Sequence, residues 1–134
     1  MNVRFLAVIA GLALLLAARP VVAHHSFAAE FDANKPFKFT GTVTKIEWMN
    51  PHTFFYIDVV DEQTKQTTNW GMEMGSPNVL MRNGWRRDTM TIGDVVVVEG
   101  SRAKDGSPTG NARSVVLAAT GQRLFAGSSQ GTTP

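Results

Sequence analysis

Two features commit the middle of this chain to β-structure. One is the uninterrupted run Val95-Val96-Val97-Val98. The other is an alternation in which Phe37, Phe39, Gly41 and Val43 are interleaved with Lys38, Thr40, Thr42 and Thr44. Branched Cβ atoms restrict χ1 and fit a pleated surface, and a period of two places the apolar set on one face of a strand. After Lys45 the apolar residues change parity, to Ile46 and Trp48. Side chains on a strand alternate faces, so a one-residue shift calls for a bulge or a sharp bend, and closed sheets need such bends.

Further elements follow from the same reading. Asn50-Pro51 marks a turn. A second strand is expected over Thr53–Val60, with Phe55, Ile57 and Val59 on one face and Phe54, Tyr56 and Asp58 on the other. A polar hairpin, Asp61-Glu62-Gln63-Thr64-Lys65, leads to a third strand over Gln66–Met74, with Thr68, Trp70, Met72 and Met74 on one face. Ser76 can cap a helix, Pro77 suits its first position, and Gly84 suits the left-handed residue after its end. The helix is expected over Pro77–Asn83. Ile92-Gly93-Asp94 turns the chain into the valine strand, Ala103–Asn111 reads as a loop, and Ala112–Ala119 as the last strand. The expected fold is therefore mainly β: a five-stranded OB-like barrel with one short helix between strands 3 and 4. A generic five-stranded roll has the same order of elements.

The domain lies behind an apparent address. Arg4 precedes Phe5–Ala18, an uncharged and largely apolar run of 14 residues, and Val21-Val22-Ala23 ends on a small residue. This is the layout of a secretory signal peptide. The alternative is an uncleaved anchor, but 14 residues in a helix reach only about 21 Å, short of the ~30 Å hydrocarbon core. The organisation read from the sequence is a signal peptide over 1–23, a lead-in over 24–37, the barrel over 38–125 and a disordered Gly/Ser/Thr-rich tail over 126–134. Phe27 and Phe31 in the lead-in are one helical turn apart and suited to tie it to the domain. The expected location is the periplasm, with no membrane span after cleavage.

Charge narrows the function. Removing Arg4 and Arg19 from the 13 basic residues leaves 11, equal to the 11 acidic ones. A neutral domain lacks the broad positive field that nonspecific nucleic-acid binding needs. The chain has no Cys, which removes disulfides, thiol nucleophiles, iron–sulfur clusters and Cys-based zinc sites. No nucleophile elbow, phosphate-binding loop or dinucleotide glycine pattern is present. Glu47, Asp58 and Glu73 lie in strands and cannot be paired as acid and base from sequence. A non-enzymatic binding or accessory module is therefore expected.

All three His lie outside the first 23 residues. Cleavage after Ala23 makes His24 the first residue, and a free α-amine with its own imidazole is a bidentate chelate. A further imidazole completes a three-nitrogen set of the kind that favours Cu(II). His25 or His52 can supply it, and Met49 is a candidate soft ligand. Competing readings make the two terminal His a solvated end and His52 a turn residue. A second candidate surface for a small ligand or a periplasmic protein consists of Trp48, Asn50 and Tyr56, with the Ala103–Asn111 loop. Phe54 and Tyr56 are either exposed for such contacts or covered by the lead-in phenylalanines. Arg82, Arg86 and Arg87 around Trp85 are read as stabilising a helix end.

One resemblance covers essentially the whole chain after residue 23. It rests on His24-His25-Ser26-Phe27, on Gly41-Thr42-Val43 leading to Trp48-x-Asn50-Pro51-His52, and on Trp70-Gly71-Met72-Glu73. Gly75-Ser76-Pro77-Asn78, Gly84-Trp85 and Gly93-Asp94 complete it. These features resemble an uncharacterised family of small exported bacterial proteins, mostly proteobacterial, known as a domain of unknown function. The resemblance implies an exported, OB-like β-barrel and brings no established activity.

Overall fold

The computed structural model describes residues 27–127. The expected signal peptide, His24 and His25, and the part of the expected tail beyond Gly127 lie outside the described residues. The fold is mainly β, with α1 (Phe27–Glu30), β1 (Phe31–Glu47), β2 (Phe54–Val60), β3 (Thr67–Glu73), α2 (Pro77–Arg82), β4 (Val95–Ala103), β5 (Thr109–Leu117) and β6 (Arg123–Phe125). Among the described residues no helix is long and apolar enough to cross a membrane.

β1 serves two partners. Its first part, from Phe31 to Thr42, pairs antiparallel with β4, and its last part, from Thr42 to Glu47, pairs antiparallel with β2. The change of partner coincides with a register shift between Val43 and Lys45, where the apolar parity changes in the sequence. Gly41 sits at this bend because a Cβ there would stand 2.7 Å from the Asp58 carbonyl oxygen. β2 pairs with β3, β4 with β5, and β3 with β5 in parallel, so the hydrogen-bonded pairings run β1–β2–β3–β5–β4 and back to β1. The outer edge of β5 is shared: Thr109–Asn111 pair with β3, and Ser114–Val116 with β6.

The core follows the alternation. Val43, Phe55, Ile57, Met72, Met74, Leu80, Val96, Val98 and Val115 are all essentially buried. Removing such side chains from water contributes about 1.5–3 kcal/mol each, which holds the two halves of the bent sheet together. Met72 and Met74 are core side chains. At one end Phe37 stacks on Phe39 at 4.7 Å, Phe39 lies 4.6 Å from Trp70, and the Arg102 guanidinium caps both rings at 5.3 and 5.4 Å.

α2 starts and stops as its sequence dictates. The Ser76 hydroxyl accepts from the Val79 amide, and Pro77 occupies the first position. At the other end Gly84 adopts φ +91°, with its amide donating to Met81 O and the Trp85 amide to Leu80 O. These two bonds satisfy carbonyls that the last turn leaves open. Trp85 is buried, and its indole N–H donates to Phe125 O at 2.7 Å, fixing α2 against β6.

Three differences from the sequence reading have local causes. β1 begins at Phe31 rather than Phe37, because Phe31 and Asp32 add rungs to β4 before the shift between Asp32 and Pro36. β6 is a sixth strand, only three residues long and too short to show a period. Ala126, assigned to the tail, is buried, accepts from the Gly75 amide and donates to Arg113 O.

Glu99 couples three strands. Its carboxylate meets Lys38 of β1 at 3.3 Å and Arg123 of β6 at 2.9 Å. The hydrogen bond from Lys38, then that from Arg123, hold it below the usual carboxylate range. A lowered folded-state value gives stability that is present above the unfolded value and lost as pH falls through the folded one. Glu99→Gln is therefore expected to lower the urea midpoint at pH 7 slightly, with the gap to the parent closing as pH approaches 3. A gap that stays constant over this range would show that the pairing is not electrostatic.

Candidate functional site

The loop between β1 and β2 is pinned to the end of β3. Asn50-Pro51 is cis, and Thr53, fully buried, donates its amide to Gly75 O at 3.0 Å and accepts from the Met74 amide at 2.8 Å. This pair of hydrogen bonds sets His52 beside Glu73, the last residue of β3. His52 Nδ1 lies 2.7 Å from Glu73 Oε1. The contact is short, but the ring N–H does not point along it, so Nδ1 is buried in electrostatic contact without an aligned hydrogen bond. The Thr53 hydroxyl, next along the chain, is likewise buried without a partner.

Glu73 is held from a second side by β5. The parallel rung Glu73↔Asn111 places buried Asn111 against it, with Nδ2 donating to Oε1 at 3.4 Å. Burial pushes the Glu73 carboxyl above its ordinary range, and the Glu30 charge adds to this, while His52 and Asn111 oppose it. Glu30 ends α1, which packs at the loop after β4. Two bonds dock it there: the Lys104 amide donates to Glu30 O at 2.9 Å, and Lys104 Nζ donates to Ala28 O at 2.5 Å. The Phe27 and Phe31 rings pack 5.7 Å apart. Between α1 and this loop lies a cavity of about 380 Å³, lined by Glu30, Lys104, Asp105, Ser107 and Thr109 among others. Thr109 and Asn111 are two apart on β5 and project to the same side, so the cavity adjoins the Glu73 side of the sheet.

The chemistry of this arrangement follows from the imidazole. A carboxylate at Nδ1 favours the tautomer with its proton there and leaves the Nε2 lone pair available. Metal-ligating His residues are held in this way by an outer carboxylate. Among the described residues no three His, Asp or Glu side chains could hold a metal ion by themselves.

The other sequence-derived candidates have varied settings. Met49 is 48% exposed. Trp48 is half-buried against the core, with the Arg87 guanidinium 6.0 Å from its ring. Asn50 is exposed at the cis turn. The Tyr56 hydroxyl donates to Glu47 at 3.1 Å, and Lys45 lies over its ring at 5.2 Å. Burial, then the Glu47 bond, raise the phenol above its ordinary range. Sequence reasoning missed the pairing of Glu73 with His52, took Asn111 only as the end of the Ala103–Asn111 loop, and missed Glu30. Glu73 has the polar parity on β3, which reads as solvent-facing until β5 is known to run alongside.

No curated protein and no solved structure matches the chain. A family model described as a family of unknown function, DUF6152, matches residues 12–113, well over half of the sequence. The matched span contains His24, His25, His52, Glu73 and Asn111, so the candidate ligands and the carboxylate behind them lie within a single family unit. The chain belongs to the DUF6152 family.

Proposed function

We propose that this chain is an exported, non-enzymatic binding module, an OB-like barrel that takes one Cu(II) ion at its processed N-terminus. The α-amine and imidazole of His24 form the chelate, and Nε2 of His52 supplies the third nitrogen. His25 and Met49 stand as further donors. The observation that carries this reading is the Glu73 carboxylate 2.7 Å from His52 Nδ1, which leaves Nε2 as the ligating atom. Two others support it. Glu30 of α1 and Thr109 of β5 line one cavity, so the start of the described chain approaches the strand that flanks Glu73. From Phe27 back to His24 is three residues, a reach of about 10 Å. The circuit of strand pairings supports the barrel, since it leaves β1 bent between two partners.

Two forms of the protein test it, one beginning at His24 and one carrying an additional Met before His24. The first is expected to bind one Cu(II) with submicromolar affinity, and the second to lose most of that affinity, because its amine no longer belongs to the imidazole-bearing residue. Equal affinity in both overturns the proposal. Attention then passes to a protein or small-ligand role for Trp48, Asn50 and Tyr56.

A further inference from the structure

We infer that the turn after β1 and the segment closing α2 form one docking surface for an anionic phospholipid membrane. The inference is independent of the copper reading. It starts from a contact between two loops: the Arg87 guanidinium, beyond α2, stands 6.0 Å from the ring of Trp48, just beyond β1. Trp48 is half-buried, so its indole reaches both the core and the surface. Met49 follows it, and Met81 lies in the last turn of α2; they are 48% and 51% exposed. Pro77 and Leu80 are the buried residues of α2, while Met81 and Arg82 face water. The Gly84 amide donates to Met81 O and the Trp85 amide to Leu80 O, which folds the helix end back and keeps Arg86 and Arg87 close to it.

Positive charge on this surface is left over. Arg82, Arg86 and Arg87 are all exposed. Of the three, among the described residues, only Arg86 has a carboxylate partner: Asp88, at 3.8 Å, with both side chains more than four-fifths exposed. Glu47, next to Trp48, is already engaged by Lys45 and by the Tyr56 hydroxyl. The chain after residue 23 carries 11 basic and 11 acidic residues, so attraction to an anionic surface comes from this patch rather than from net charge. A bilayer suits the patch better than an acidic protein does. Exposed methionines beside an indole can enter the headgroup region while the Arg heads stay among the phosphates, and Trp and Arg are side chains that settle at that depth. A stable protein partner needs about 20–30 residues on each side, far more than these two loops offer.

The test uses the metal-free chain beginning at His24 and vesicles of phosphatidylcholine with or without phosphatidylglycerol. Cosedimentation is expected with the phosphatidylglycerol vesicles alone, weakening as salt rises. Arg82→Gln and Arg87→Gln are each expected to weaken it about fivefold, while Arg87→Lys, which keeps the charge, retains most of it. Met49→Ser is expected to weaken it as well, and the blue shift of tryptophan emission on binding should vanish in Trp48→Phe. Controls come from the far end of β2. Val60 is exposed and ends that strand, about 20 Å from Phe54, which pairs with Glu47 beside Trp48. Lys65 is exposed in the hairpin that follows. Val60→Ser and Lys65→Gln are expected to leave binding unchanged, and all these surface variants to melt with the parent. Equal losses in Lys65→Gln and Arg87→Gln mark bulk charge and overturn the inference. Equal binding to both kinds of vesicle, or to neither, also overturns it. Retention on polyglutamate without vesicle binding assigns the patch to an acidic protein instead.

Discussion

Replacing Gly100 by alanine is expected to cost this protein at least about 3 kcal/mol of folding stability, at the upper end of what overpacking does. A Cβ at Gly100 would lie 2.0 Å from Asn111 O, 2.9 Å from Asn111 C and 3.1 Å from Ala112 Cα. All three are backbone atoms of β5, so no side-chain rotation relieves the clash. The residue stands where the β4–β5 register shifts between Glu99 and Gly100, and it also faces Phe37 on β1. Strands β4 and β5 would have to separate, breaking rungs in the closed circuit. Domains of this size have only about 5–15 kcal/mol in hand. Gly106→Ala is the matched control: Gly106 has φ +79° and no atom within 4 Å of the added carbon, so only backbone strain of about 1–2 kcal/mol is expected. Urea midpoints of the two variants decide the matter. A Gly100→Ala protein no less stable than Gly106→Ala would show that the strands do not approach so closely.

The contrast between these glycines also shows what the sequence can and cannot disclose. Gly84 and Gly93 are legible, since each follows or sits within a recognisable stop or turn, and both adopt positive φ. The parity change at Lys45 is legible for a similar reason: the period of a strand is local, and an extra residue breaks it visibly. Gly100 lies inside a run that reads as ordinary strand, and its necessity comes from β5, eleven residues later. The same holds at the site. His52 attracts notice because histidines are few and it follows a turn. Glu73 looks like any outward-facing residue of β3, and only the parallel rung with Asn111 reveals that it is covered. Parallel pairing across a closing sheet leaves no local pattern in either strand, which is also why Asn111 reads as loop from the sequence.

Removing His52 is expected to have the largest effect on metal binding of any change in the described residues. In the chain beginning at His24, His52→Ala would delete the proposed third nitrogen and leave the proposed bidentate terminus alone. Glu73→Gln provides the graded comparison. The amide keeps the shape but removes the negative charge beside Nδ1, and loss of such an outer partner costs about 10–100-fold in affinity. His52→Ala should exceed that loss, and the double variant should add little to it, because Glu73 acts only through the imidazole. Stability separates this outcome from simple damage to the fold. Burial raises the Glu73 carboxyl, so ionising it costs the folded state: the associated stability is complete below the unfolded value and declines as pH rises through the folded one. At pH 7 Glu73→Gln removes that cost, and the metal-free variant should melt at or above the parent temperature while binding Cu(II) more weakly. If affinity and melting temperature fall together, Glu73 is a structural partner of the loop rather than the group that aims His52. If neither changes, the carboxylate and the imidazole are neighbours without a shared task.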